Sequence, residues 1–286
     1  MTKVKFNPII PVKNDDLFVE QVGEWAKEKY SLVGVYCDIF TKSMKSRWGN
    51  LVYIDLFAGC GYSRIKDTKT YIKSSPLIAL SVPNKFTKYI FCEENNEKCK
   101  SLERRIKGEY NDLNYIIIKG DCNKRVESIK NALPKYSKNN TVLSFCFADP
   151  YAMSNLNFIT IERLSQFMID FLILIPTGMD ARRNLKYYLD GNNETVDYFI
   201  DNRDWREKFR KTYKENNQSF VSFLKEIYSN KMVSLGYKEP GSFHLIKSIN
   251  KNLPLYHLAF FSKHALGNKF WDAVNEYSSQ QVELFS

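Results

Sequence analysis

Short apolar runs recur through the first two thirds of the chain, each closed by an acid, a glycine or a proline. They are LVYIDLFAG (51–59), KYIFCEE (88–94), LNYIIIKGD (113–121), TVLSFCFADP (141–150) and DFLILIP (170–176). Runs this short, rich in β-branched and aromatic residues, read as strands buried on both faces. Between them lie segments of helical character, over about 95–108, 123–134 and 158–167. Strands alternating with helices predict a parallel sheet covered by helices on both faces.

The two ends of the chain follow other patterns. Over residues 16–48, Phe18, Val22, Trp25, Tyr30, Val33 and Tyr36 stand near helical spacing. This predicts one or two helices leading into the core, with Asp15 or Asp16 as N-cap. The stretch 177–230 is polar, basic and aromatic without a convincing strand, and reads as a helical insert. Strand patterns return at KMVSLGYK (231–238) and LPLYHLAFFSKH (253–264), before a last helix with Phe270, Trp271 and Val274. The expected division is a helical lead-in (1–50), a core (51–176), a basic helical insert (177–230) and closing strands with a helix (231–286). Five parallel strands and a two-stranded ending make the strand budget of an α/β protein with the Rossmann-like (class I) methyltransferase fold. Its seven-stranded sheet is mostly parallel. A dinucleotide-binding dehydrogenase needs no such ending.

In open α/β sheets ligands bind beyond the carboxyl ends of the strands, at the switch in strand order. The candidate groups all stand there. Asp55, Leu56, Phe57, Ala58, Gly59, Cys60 and Gly61 close the first run, and glycines let backbone turn sharply and approach a ligand. Asp55 can place a carboxylate near a ligand ammonium. Glu93 can accept from both ribose hydroxyls, with Glu94 as the rival one residue on. Gly120, Asp121 and Cys122 follow the third run, where Asp121 can meet an adenine amine. Acids ending three consecutive strands suit the cationic S-adenosylmethionine. NAD is the competing ligand, but its G-x-G-x-x-G fingerprint needs a glycine where Arg64 stands. A long loop, SRIKDTKTYIKSS, also separates the turn from Pro76 where a helix should open.

The fourth run ends in Asp149, Pro150 and Tyr151. Asp149 and the Pro150 carbonyl can accept the two hydrogens of an exocyclic amine, and the Tyr151 ring can stack on its base. Asp-Pro is also a common turn starter, so the plain alternative is a capped turn. The expected activity is methyl transfer to a nucleobase amine in RNA or DNA, the base being flipped out or single-stranded. No Pro-Cys dipeptide occurs, which disfavours a cysteine nucleophile of the pyrimidine carbon-5 type.

Charge supports a polyanionic partner: 42 Lys and Arg against 32 Asp and Glu leave a net charge of +10. Arg182, Arg183 and Lys186 follow the fifth strand and should overhang the same crevice. A second cluster, Arg203, Arg206, Lys208, Arg210 and Lys211, is interleaved with Tyr198, Phe199, Trp205, Phe209 and Tyr213. Together they describe a phosphate and base-stacking platform, or else a small helical core with solvated charge. Six cysteines without a Cys-x-x-Cys pair, and three histidines, predict no metal site and suit a reducing cytoplasm. No signal peptide shows within residues 1–13, and no run approaches the ~20 apolar residues of a membrane span.

These segments resemble the three-Cys-motif partner (TcmP) family of methyltransferase-like proteins. The matching stretches are VGEWAKEKY (22–30), YIDLFAGCG (53–61), SSPLIAL (74–80), FCEENNEK (91–98), GDCN (120–123), ADPYAMSN (148–155), LIPTGMDARRN (174–184) and HLAFFSKHALGNKFWDAV (257–274). They run in family order over nearly the whole chain. The resemblance implies a methyltransferase-like fold and a separate partner protein carrying a three-cysteine, radical-type iron–sulfur motif. The family's Asp-Pro-Phe-Gly, similar to that of tRNA guanine-N2 dimethyltransferases, is here Asp149-Pro150-Tyr151-Ala152, and Cys60 replaces a proline. A cofactor-binding partner protein without methyl transfer of its own is therefore the alternative reading.

Overall fold

Each of the five apolar runs forms a strand of one sheet. The computed structural model of the protein describes residues 6–241, 243–248 and 252–284. Residues 1–5, part of the segment read for a signal peptide, lie outside the described residues. The strands are β1 (Pro11–Val12), β2 (Glu20–Val22), β3 (Asn50–Asp55), β4 (Tyr62–Ile65), β5 (Tyr71–Lys73), β6 (Lys88–Glu93), β7 (Tyr115–Lys119), β8 (Val142–Ala148), β9 (Ile169–Ile175), β10 (His244–Lys247) and β11 (Pro254–Phe261). The helices are α1 (Ala26–Met44), α2 (Ser75–Ser81), α3 (Asn96–Glu109), α4 (Cys122–Ala132), α5 (Phe158–Leu164), α6 (Leu185–Tyr188), α7 (Thr195–Ile200), α8 (Trp205–Asn216), α9 (Phe220–Ser234) and α10 (Ala265–Leu284).

The main sheet runs β10-β11-β9-β8-β3-β6-β7. The five strands from β9 to β7 pair in parallel, while β11 lies antiparallel to both β9 and β10. Counted in chain order from the β7 edge these strands read 3-2-1-4-5-7-6, the order of the Rossmann-like (class I) methyltransferase fold. The chain leaves β3 to one side for β6 and later returns to its other side for β8. The switch point therefore falls at the carboxyl end of β3.

Alternate residues of each strand feed two cores. Val52, Ile54, Ile90 and Phe171 point to one, together with helices α4 and α5. Leu51, Tyr53, Tyr89 and Phe145 point to the other, together with α1 and Trp271 of α10. Both faces of the sheet are thereby covered, which is why the strands read as unbroken apolar runs.

The structure departs from the sequence reading in three places. Residues 231–238 do not form a strand: α9 continues to Ser234, and the first strand of the terminal pair is β10. Phe220, Phe223, Leu224, Tyr228 and Met232 bury one helical face, and the chain turns at Gly236 with φ +86°. The boundary placed at residue 230 therefore cuts a helix. The lead-in 1–50 is only partly helical, because residues 20–22 form a strand, and α1 starts at Ala26 after Trp25, so neither Asp15 nor Asp16 caps it. The long loop after the glycine turn is a hairpin, β4–β5. With β1 and β2 it builds a second sheet, β1-β5-β4-β2, over a small core of Ala26, Tyr30, Ile65, Ile72 and Ile78.

Candidate active site

At the carboxyl end of β3 the backbone turns through Gly59 and Gly61, with φ of +65° and +93°. The Gly59 N–H donates to Glu93 Oε2 at 2.8 Å. Glu93 Oε1 accepts from the Asn95 N–H at 2.8 Å, and the Asn95 side chain caps α3. Glu93 is 8% exposed, whereas Glu94 points to solvent. The register of β6 therefore faces Glu93, not Glu94, onto the turn. Each Glu93 oxygen has one backbone partner and keeps a free lone pair. An open cleft of about 650 Å³ lies along Glu93, Glu94, Asn95, Asn96, Glu97 and Lys98. Phe57 is half-buried beside the turn, and Ala58 donates its N–H to the Cys92 carbonyl at 2.9 Å.

Asp55 is placed differently from expectation. It is 0% exposed and lies beneath the turn. The Tyr53 hydroxyl donates to its Oδ2 at 3.1 Å and the Phe57 N–H to its Oδ1 at 3.2 Å. Burial pushes its carboxyl up to about 7, partly offset by hydrogen bonds from Ser75, Phe57 and Tyr53. Asp55 bonds the turn from within.

Asp121 caps α4, with Oδ1 accepting from the Asn123 N–H at 2.9 Å. Asn123 joins this cap to the next loop. Its Nδ2 donates to the Asn155 carbonyl at 2.9 Å, and its Oδ1 accepts from the Asn157 N–H at 2.9 Å. Cys122 is buried against the sheet, and burial raises its thiol well above the usual range. Its side chain packs in the core.

Asp149 follows β8 directly, and β8 is paired with β3 up to Asp55. Pro150 is buried, while Tyr151 is 91% exposed, leaving its ring free to solvent. Ala152 has φ −140°, an extended conformation that needs no glycine. Its N–H donates to Asn155 Oδ1 at 2.9 Å, and Asp180 Oδ2 accepts from the Met153 N–H at 2.7 Å. The loop is thus bound on both sides.

The sequence reading missed Lys29, whose ammonium pairs with Asp149 Oδ2. It also missed Glu20, on β2 of the second sheet, and Arg105, on α3. Glu20 Oε2 stands 2.9 Å from where a side chain on Gly59 would begin, and Glu20 pairs with Lys98. Arg105 makes two 2.7 Å bonds to the Asp15 carboxylate and further bonds to the carbonyls of Phe18 and Cys60, at 2.9 and 2.6 Å. It pins the strand that carries Glu20 against the glycine turn. No local pattern could reveal these partners, since they lie 34 to 120 positions apart: Lys29 to Asp149 is 120, Arg105 to Asp15 is 90 and Gly59 to Glu93 is 34.

Arg182, Arg183 and Lys186 are exposed just after β9. The second basic cluster divides. Trp205 and Phe209 are buried in the main core, joined by Phe220 and Phe223. Arg206 is spent inside the insert, on Asp197 at 2.7 Å and the Tyr188 carbonyl at 3.0 Å. Only Arg203, Lys208, Arg210, Lys211, Tyr198 and Tyr213 remain on the surface.

No protein-family model and no curated protein matches the sequence. Among solved structures, the chain is similar to the protein LPL1258 of Legionella pneumophila, at 11% identity and TM-score 0.49, over 87% of this chain and 91% of that one. It is also similar to TYW2 of M. jannaschii in complex with AdoMet, at 13% identity and TM-score 0.40, over 91% and 88%. TYW2 of P. horikoshii in complex with MeSAdo is similar at 11% identity and TM-score 0.42, over 91% and 73%. The strand order, independently of these likenesses, gives the chain its methyltransferase-type fold.

Proposed function

We propose that the protein is an S-adenosylmethionine-dependent methyltransferase acting on an exocyclic amine of a nucleobase in RNA or DNA. The observation that carries this reading is the placement of Asp149-Pro150-Tyr151 beside the glycine turn, one strand over at the switch point. The residues present fit the cofactor. Gly59 and Gly61 form the sharp turn for its methionine part, Glu93 has two acceptor sites for ribose hydroxyls, and Asp121 stands at the next strand end for the adenine amine. When bound, the cofactor supplies an already activated methyl group, so the chain's work is orientation.

Asp149 and the Pro150 carbonyl accept the amine hydrogens and turn its nitrogen lone pair toward the methyl. The exposed Tyr151 ring stacks on the base. With methyl transfer to the nitrogen, the amine proton would leave through Asp149 or water. The net charge of +10 and the exposed Arg182, Arg183 and Lys186 supply contacts for phosphates. The six free, buried cysteines suit a reducing cytoplasm. No helix among the described residues is long and apolar enough to cross a membrane.

The resemblance to the TcmP family supports a second reading: a cofactor-binding partner of a three-cysteine radical protein. Cys60 and Ala152 favour it, although Ala152 sits in a conformation open to any residue. Transfer of labelled methyl to total cellular RNA, DNA and protein decides between them. Label in RNA or DNA is expected. Label confined to protein or small molecules, or none, refutes the nucleobase reading.

A further inference from the structure

We infer that Lys29 is a built-in counter-ion that fixes Asp149 for a neutral amine and keeps alkylammonium groups off it. The inference rests on the proposed role of Asp149 as the acceptor for the substrate amine, and names the residue that sets which amines qualify.

The Lys29 ammonium is bonded to Asp149 Oδ2, and the two side chains are 6% and 18% exposed. The same ammonium lies 5.3 Å from the ring centre of Trp25, 5.1 Å from Tyr30 and 5.9 Å from Tyr256. Three aromatic faces around one cation form a cage of the kind that holds ammonium groups by cation–π attraction. Its walls are fixed parts of the fold. Trp25 and Tyr30 flank Lys29 at the start of α1, and the Tyr30 hydroxyl bonds Ser63 of β4 at 3.1 Å. Tyr256 comes from β11 and meets the Trp25 ring edge-on at 5.3 Å. A lysine caged in this way does not swing aside to make room for another cation.

The consequence for Asp149 is geometric and electrostatic. One oxygen is held by Lys29, and the other has no hydrogen-bond partner among the described residues. A neutral nucleobase amine can donate to that free oxygen without adding charge. An alkylammonium would place a second positive charge beside Lys29, in a part of the protein where water screens little. The nearby Tyr256 hydroxyl is buried and also without a partner among the described residues, a neutral group suited to a neutral substrate. Lys29 is thus a positioning residue: it acts on the substrate through Asp149.

The test uses K29A, K29R and the double variant K29A/D149N, with n-propylammonium chloride as the probe and sodium chloride as its ionic-strength control. In K29A, propylammonium should refill the cage and raise the thermal midpoint. It should not do so in wild type, whose cage is full, or in the double variant, whose carboxylate is gone. With labelled S-adenosylmethionine and single-stranded RNA and DNA oligonucleotides, K29A should lose at least tenfold in kcat with little change in the cofactor KM. K29R and propylammonium should each restore part of that loss. Propylammonium should not compete with oligonucleotides in wild type. Wild-type rates in folded K29A, or competition by propylammonium in wild type, would overturn the inference while leaving the nucleobase reading intact. If wild type methylates no oligonucleotide, the nucleobase reading has failed and the thermal midpoints alone decide on Lys29. Should K29A not fold, the same measurements on K29M replace it.

Discussion

Removing the Glu93 carboxylate perturbs both the fold and the ligand site, and the structure separates the two effects. In Glu93→Ala the Gly59 N–H, buried in the turn, loses its partner at 2.8 Å. An unsatisfied buried donor costs about 1–3 kcal/mol, so the variant should unfold earlier than wild type. The Asn95 N–H also loses a partner but lies at an exposed residue, where water can replace it. If Glu93 receives ribose hydroxyls, each charge-assisted bond lost is worth about 1.5–3 kcal/mol. Even one such bond makes the dissociation constant about tenfold weaker or more. Calorimetry with S-adenosylmethionine or its demethylated product should show this loss, while NAD should not bind wild type at all. Glu93→Gln controls for structure, since its amide keeps the shape and one acceptor oxygen. It should keep most of the stability and lose part of the affinity. Glu94→Ala, at an exposed position, should change neither. A folded Glu93→Gln that binds like wild type, or a Glu94→Ala that binds more weakly than Glu93→Ala, would refute the assignment.

Three further outcomes are expected. Asp149→Asn should abolish methyl transfer and leave cofactor affinity within about threefold, because its role is on the substrate side; loss of cofactor binding in calorimetry would move Asp149 into the cofactor pocket. Joint replacement of Arg182, Arg183 and Lys186 by Ala should flatten the slope of log affinity against log salt for a single strand by about 0.7 per lost phosphate contact, roughly two in all. The same replacement at the exposed Arg203, Lys208 and Arg210 is the matched comparison, and no change in either would assign the basic charge to solvated surface. Asp55→Asn should alter the pH dependence of stability. Because burial raises the Asp55 carboxyl to about 7, the folded protein holds a proton that the unfolded chain releases near 4. Wild-type stability therefore falls between about pH 4 and 7, by up to ~4 kcal/mol from this group. His257, which burial lowers to about 4, works in the opposite direction below pH 6.5 but is common to both proteins. Urea midpoints at pH 5 and 8 should differ less in Asp55→Asn than in wild type, and an equal difference would count against the buried carboxyl.

Strand positions were legible because burial on both faces removes polar alternation and leaves unbroken apolar runs. The glycine turn and the acids at strand ends were legible for a related reason: in a parallel sheet, sequence position at the end of a run is also spatial position. The same logic failed where elements are short or one-sided. β2 spans three residues, Glu20–Val22, too few to show a period, so its Val22 joined a helical count. The β4–β5 hairpin sets its buried Ile65 and Ile72 among polar and charged residues, which reads as a loop. In α9 the apolar positions continue so close to Gly236 that the tail MVSLGY mimics a strand. The aromatic spacing of Trp205 and Phe209 did reflect a helix, but the buried face belongs to the main core and not to a stacking platform. Lys29 was invisible because its meaning comes wholly from Asp149, which the fold brings to it from 120 positions away.

The crevice gathers four carboxylates at the ends of four neighbouring strands, and such a cluster would repel itself if all four stood alike. The fold gives each a different resolution. Asp55 is buried deep enough that its proton affinity rises, with Asp149 nearby adding to the shift. Glu93 is stabilised by backbone N–H groups from the glycine turn and the start of α3. Asp121 sits at the N-terminus of α4, where free N–H groups and the helix dipole favour negative charge. Asp149 is bonded directly to the buried ammonium of Lys29, whereas the exposed Lys124 ammonium reaches Asp121 only at 3.9 Å. The carboxylates held by backbone dipoles are those proposed to face the cofactor, and dipoles leave their net negative charge in place to meet a cation. The carboxylate held by an ammonium is the one proposed to face the acceptor, where a neutral amine must be received and a cation refused. The way each charge is compensated thus divides the crevice into a half suited to a sulfonium and a half suited to a base.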